Sequence, residues 1–97
     1  MALATLSHAR FNPGQVVMTQ GVNDLVQQGV INPSVYLLRH LHGDWGDLCE
    51  EDRATNEAAV EHGYRLLSSY PVAAAITLWI ITERDRSVTT LLLPDEY

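Results

Sequence analysis

The sequence predicts a two-layer α+β domain in the order β-α-α-α-β-β-β, with an antiparallel C-terminal meander packed on helices. Three observations predict it. Capping and turn residues divide residues 23–63 into three short helices. Residues 64–93 carry three strand-like runs separated by short loops, which favours a meander. The middle run, Ile76 to Thr82, is apolar on both faces. Ile76, Leu78 and Ile80 point one way, and Trp79 and Ile81 point the other. Such a strand calls for cover on both sides, from helices of its own chain or from a partner.

Each element has its own signal. Asn12-Pro13-Gly14 marks a turn, and Gln15 to Thr19 follows as a short strand. Asn23 caps a helix over Asp24–Gln28, closed by Gly29. Asn32 is the N-cap of the next helix, with Pro33 at the first helical position, where its missing N–H costs nothing. That helix runs to His42 and stops at Gly43, and Val35, Leu38 and Leu41, flanked by Leu37, form its expected buried stripe. Gly43-Asp44-Trp45-Gly46 is a tight link. Asp47 with Glu50 three residues on reads as a capping box for a third helix, Leu48 to His62, ending at Gly63. Its apolar positions, Ala54, Ala58, Ala59 and Val60, are mostly small, which lets it lie close to a sheet. Tyr64–Tyr70, Ile76–Thr82 and Val88–Leu93 are the later strands, with Pro71–Ala75 as a loop.

A chain of 97 residues holds one core, so residues 11–97 read as a single domain after a loosely ordered tail, residues 1–10. Hydrophobic residues make up 46% of it and there is one cysteine, so it folds on apolar burial without disulfides or structural zinc. The N-terminal MALATLSHARF has no basic segment ahead of an apolar one, so no signal peptide is expected. The longest apolar run, Val72 to Ile81, falls well short of the ~20 residues of a membrane helix. A reduced, cytoplasmic protein without membrane association is the expectation.

All cations are arginine, which excludes P-loop, Schiff-base and carboxylate–lysine chemistry. The acids are concentrated. Asp44, Asp47, Glu50, Glu51, Asp52, Glu57 and Glu61 face the single cation Arg53, so this segment alone carries the net −6 of the whole chain. Such a face repels a phosphate backbone and attracts a basic protein surface. Direct nucleic-acid binding is therefore not expected.

Several constellations invite chemistry, and each has a plainer reading. His40, His42, Asp44, Asp47 and Cys49 crowd together, but on a helix His40 and His42 lie about 200° apart and cannot share an ion. Helix-end histidines interacting with the dipole are the plainer reading. Cys49 in a first helical turn could become a nucleophile, yet three acids follow it, so a buried, inert thiol is expected. Glu83, Arg84, Asp85 and Arg86 read as solvated ion pairs at a hairpin tip, although Arg84 or Arg86 could anchor a carboxylate across an interface. Trp45, between glycines and acids, reads as a plug for the core edge, with an exposed hot spot as the alternative. Arg53 and Asn56 either bond inward to the link or the sheet edge, or lie on a solvated face. No catalytic residue, metal site or cofactor is assigned.

The chain resembles a family of small proteins encoded on plasmids and integrated mobile elements. The resemblance rests on Arg39-His40, Gly43-Asp44-Trp45-Gly46-Asp47, Glu51-Asp52, Asn56, Gly63 and Arg65 to Tyr70. It closes on Leu78 to Glu83, Asp85-Arg86-Ser87, Thr89-Thr90 and Leu93 to Tyr97. It implies a genomic setting and no reaction. Members are sometimes labelled as the methylation subunit of a type I restriction system. A methyltransferase needs a far larger nucleotide-binding sheet and a Gly-rich cofactor loop. Asn12-Pro13-Gly14-Gln15 also lacks the aromatic of an amino-methylating motif.

The expected function is a non-enzymatic interaction protein, homodimeric, with Trp79, Ile81, Leu91, Leu93, Arg84 and Arg86 as interface candidates and the acidic segment facing a basic partner. The alternatives are a DNA mimic that blocks a host defence protein, and a small enzyme or ligand binder with its site near His40, Asp44 and Cys49.

Overall fold

The computed structural model describes residues 9–97. The predicted tail and the absence of a signal peptide fall largely on residues 1–8, outside the described residues. Arg10 is already tied into the domain: its N–H donates to the Leu41 carbonyl, and its guanidinium makes a two-pronged pair with Glu57 at 2.8 and 2.9 Å.

The elements are β1 (Gln15–Met18), α1 (Gln20–Gln27), α2 (Pro33–Leu41), α3 (Glu50–His62), β2 (Leu66–Ala73), β3 (Ile76–Thr82) and β4 (Val88–Leu92), closed by a 3₁₀ turn at Pro94–Glu96. The order β-α-α-α-β-β-β is the one predicted. β2, β3 and β4 form the expected antiparallel meander. β1 lies parallel beside β4, giving the sheet order β1-β4-β3-β2. All three helices pack on one face of this sheet. Val22 of α1 joins Tyr70, Leu78, Ile80 and Leu91 in one core. His40 of α2 bonds Ser68 and Thr82, and Ala59 of α3 packs with Leu66 and Trp45. The register pairs Leu66 with Thr82, Ser68 with Ile80, Tyr70 with Leu78 and Ile80 with Leu91, so these side chains share the helix-covered face. Full burial of each Leu or Ile there stabilises by about 1.5–3 kcal/mol.

Several boundaries and faces differ from those the sequence predicts, each for a visible reason. α1 starts at Gln20, because Thr19 rather than Asn23 is the N-cap and its hydroxyl accepts from the Val22 N–H at 3.4 Å. In α2, Asn32 and Pro33 stand where predicted, but Asn32 makes no side-chain cap bond. The α2 stripe is also rotated: Leu41 is buried as predicted, but Val35 is 49% exposed and His40 is buried in addition, because the sheet offers hydroxyl partners to His40. α3 begins at Glu50 with Cys49 as N-cap, and the capping box on Asp47 does not form, since the Asp47 N–H is drawn off to the Ser69 carbonyl. β2 runs on through Pro71 to Ala73, with an irregularity between those two residues, and the predicted loop shrinks to Ala74-Ala75. An edge strand tolerates a proline because one side of its backbone needs no ladder partner.

The two-sided strand β3 is covered unequally. Leu78 and Ile80 are buried beneath the helices. On the opposite face Ile81 and the neighbouring Leu92 are also buried, while Trp79 is half-buried and meets the Tyr97 ring edge-on at 5.8 Å.

Candidate functional site

The motif residues converge on the link between α2 and α3. At its head Arg39 grips Asp44 through two bonds, 2.7 and 3.3 Å, which holds the Asp44 carboxyl below its ordinary range. The Tyr70 hydroxyl donates to the Asp44 carbonyl at 2.7 Å. Gly46 sits at φ 77°, against the Ser69 carbonyl, where any side chain would collide. That close approach lets the link run as a short extra strand: Ser69 N–H donates to the Trp45 carbonyl and Asp47 N–H to the Ser69 carbonyl. Arg53 closes the link from α3, donating to the carbonyls of Gly46 and Leu48. Asn56 continues the seal one helical turn on. Its amide donates to the Leu67 carbonyl at 2.6 Å and accepts from the Leu67 N–H at 3.2 Å. The inward reading of Arg53 and Asn56 is therefore the structure's own.

Trp45 is the plug. It is 2% exposed, its indole N–H donates to Glu57 at 3.0 Å, and it lies against Phe11 and edge-on to His40. Arg10 first, and then Trp45, bond the Glu57 carboxylate and lower its pKa.

His40 is fully buried inside a polar chain. Thr89 has to donate to the Pro13 carbonyl, so it accepts from the Thr82 hydroxyl at 2.7 Å. Thr82 then accepts from His40 Nε2–H at 2.9 Å, and His40 Nδ1 accepts from Ser68. Each hydroxyl proton has one place to go, and the order assigns a neutral, Nε2-protonated imidazole. Burial, helped by the positive charge of Arg86, pushes the His40 pKa down to about 3. The expected helix-end cation is thus an uncharged core residue. His42 instead donates Nδ1–H to the Leu38 carbonyl at 2.7 Å.

The residues proposed for an enzyme or metal site are not brought together. Cys49, expected to be buried, is exposed at the start of α3, while His40 lies in the core. Among the described residues no three His, Cys, Asp or Glu side chains are placed to hold a metal ion. Ser68 and His40 touch, but both side chains are fully buried.

The interface candidates divide. Trp79 and Ile81 share the helix-free face of the sheet; Leu91 and Leu93 lie on the other, packed into the core under α1. Arg84 is exposed at the hairpin tip. Arg86, at φ 60°, turns inward and donates to the carbonyls of Ala59, Tyr64 and Glu83, so its guanidinium is already engaged within the chain. Of the seven clustered acids, Asp44 and Glu57 are ion-paired internally, while Asp47, Glu50, Glu51, Asp52 and Glu61 remain exposed.

Sequence reasoning missed Arg10, Ser68, Thr82 and Thr89. The signal for the last three was present: alternation places all of them on the face of Leu66, Tyr70 and Leu78, where a hydroxyl needs a partner. Arg10 has no such signal, because its partner Glu57 is 47 residues away. No helix among the described residues is long and apolar enough to cross a membrane. Comparison with protein-family models, curated proteins and solved structures yields no match.

Proposed function

We propose that the protein is a non-enzymatic interaction module that acts as a homodimer, with the helix-free face of its sheet as the contact. One observation carries this reading. The face opposite the helices is built from Val17, Leu67, Trp79, Ile81, Val88 and Leu92 on four adjacent strands, with Thr90 and Ser69 among them; Ile81 and Leu92 are already buried within the chain, and Val17, Leu67, Trp79 and Val88 are half-buried and left for a partner to cover. A sheet face this apolar is stabilised by pairing with another surface. Two copies packed face to face would bury it in a four-layer sandwich, helices outside and sheets within. An accessory role for a mobile element, cytoplasmic and without a reaction of its own, is the setting the family resemblance suggests, with a basic protein as the further partner of the acidic helix. The acidic-mimic alternative has less support, since two of its seven charges are neutralised within the chain.

The test is solution mass by light scattering, with heteronuclear NMR to confirm folding. Wild type should have about twice the 10.8 kDa chain mass. Trp79→Arg and Thr90→Arg should each give a folded monomer. A monomeric wild type at the highest soluble concentration would overturn the reading. So would a dimer indifferent to both substitutions.

A further inference from the structure

We infer that the cavity between the start of α1, the β2–β3 turn and the C-terminal 3₁₀ turn is a binding site for a small aliphatic organic cation, an alkylammonium or a diammonium. The site is separate from the dimer face and does not depend on it.

The cavity holds about 480 Å³, within the range of small-molecule pockets. Its lining has two characters. Leu25, Ile76, Leu93 and Pro94 supply apolar surface, and Asp95 and Asp24, the latter with one oxygen already accepting from Gln20 Nε2 at 2.8 Å, supply negative charge. Among the described residues no arginine or histidine lines it. An aliphatic chain fits the first set and an ammonium group the second, and two carboxylates suit a cation charged at both ends. Anions are disfavoured on two counts. The carboxylates repel them, and two of the α1 N–H groups that would otherwise attract an anion are occupied: Glu96 accepts from Gly21 at 2.9 Å and Thr19 from Val22.

The cavity is held open by bonds. The Glu96 carboxylate accepts from the Thr19 hydroxyl and from the N–H groups of Gly21 and Leu93, which fixes the C-terminal wall against α1. Gly21 makes that approach possible, since a Cβ there would stand 2.6 Å from Glu96 Oε2 and 2.9 Å from Leu93 Cδ1. Across the opening, Ala75 holds a left-handed conformation, φ 59°, at the turn. A preformed shape lowers the ordering cost of binding a small ligand.

The experiment is a titration of the ¹⁵N-labelled full chain with four probes of matched length: pentylammonium, 1,5-diaminopentane, pentanol and pentanoate. The two cations should shift the amides of Leu25, Ile76 and Leu93 in a saturable way, the diamine more tightly. Pentanol should bind more weakly and pentanoate not at all. Asp24→Asn and Asp95→Asn, both at exposed positions, should each weaken the cations by about two- to fivefold and leave pentanol unchanged. Equal binding of pentylammonium and pentanol would overturn the inference, as would unaltered affinity in both variants. Shifts gathered along α3 in place of the cavity would show general attraction to acidic surface and would overturn it as well.

Discussion

At the scale of single residues, His40 has the sharpest consequence. The folded chain keeps it neutral down to about pH 3, whereas the unfolded chain binds a proton near the usual histidine value of about 6.5. Between those limits the unfolded state holds more protons, so stability rises with pH and falls as the solution is acidified. The slope approaches about 1.4 kcal/mol per pH unit. The carboxylates held low, Asp44 and Glu57 among them, act in the same direction but below their ordinary range near pH 4. The difference between wild type and His40→Gln in urea unfolding between pH 6.5 and 5 therefore isolates His40 from the other three histidines. Wild type should lose stability across that interval, and His40→Gln should flatten the loss while being less stable at pH 7. A flat wild-type profile there would mean that the imidazole is not held neutral. Ala75 offers a second test. An alanine at φ 59° carries a steric cost that glycine avoids. Ala75→Gly should raise the urea midpoint at an unchanged m-value, a gain in stability of up to about 1 kcal/mol.

At the scale of elements, the two edges of the sheet are treated differently. β1 is kept short, four residues. β2 is longer, and its outer backbone groups are claimed at two successive outward positions: Leu67 by Asn56, and Ser69 by Trp45 and Asp47. Sealing an edge in this way stops it pairing with other chains. It also ties α3 and the link to the sheet, so the motif residues act as one device. Asn56→Ala leaves the Leu67 N–H and C=O without partners at a part-buried site, which costs about 2 kcal/mol and lowers Tm by roughly 10 °C. Asn56→Asp should not rescue it, because a carboxylate cannot donate to the Leu67 carbonyl. Calorimetry measures both. Fast amide exchange at Leu67 in the variants, with the core strands still protected, would localise the damage to the edge. A loss below about 0.5 kcal/mol would mean that water replaces Asn56 without penalty.

At the scale of the whole molecule, charge and apolar surface pull in opposite directions. Two copies carrying −6 each repel, yet the proposed dimer joins them through a mainly apolar sheet face, whose charges are the mutually paired Arg65 and Glu83 at its margin. Added salt screens that repulsion, so the dimer should tighten as ionic strength rises. A complex between the exposed acids of α3 and a basic protein would weaken under the same change. Sedimentation at 0.05 and 0.5 M salt, as the chosen conditions, distinguishes the two forces. A dimer that dissociates in high salt would place the contact on charged residues and not on Trp79 and its neighbours.

The sequence by itself determined the kinds of element and their order. The helix stops at Gly43 and Gly63, Pro33 at its first-turn position, the bounds of Ile76–Thr82 and the meander of three strands all follow from backbone chemistry local to a few residues. Local chemistry also placed Trp45 as a plug and allowed Asn56 and Arg53 an inward role. Tertiary structure decided which way each face turns. Val35 and His40 exchanged places because burial of an imidazole depends on Ser68 and Thr82, 28 and 42 residues away. Asp47 lost its cap because the edge of β2 competed for its N–H. Leu91 and Trp79, both predicted at one interface, went to opposite sides because the side of β4 facing α1 is set by register, which no local pattern contains. Arg86 left the surface when a left-handed turn aimed it at the carboxyl end of α3. In each case partners distant in sequence competed for the same polar group or apolar face, and only the folded chain reveals which of them is near enough to win.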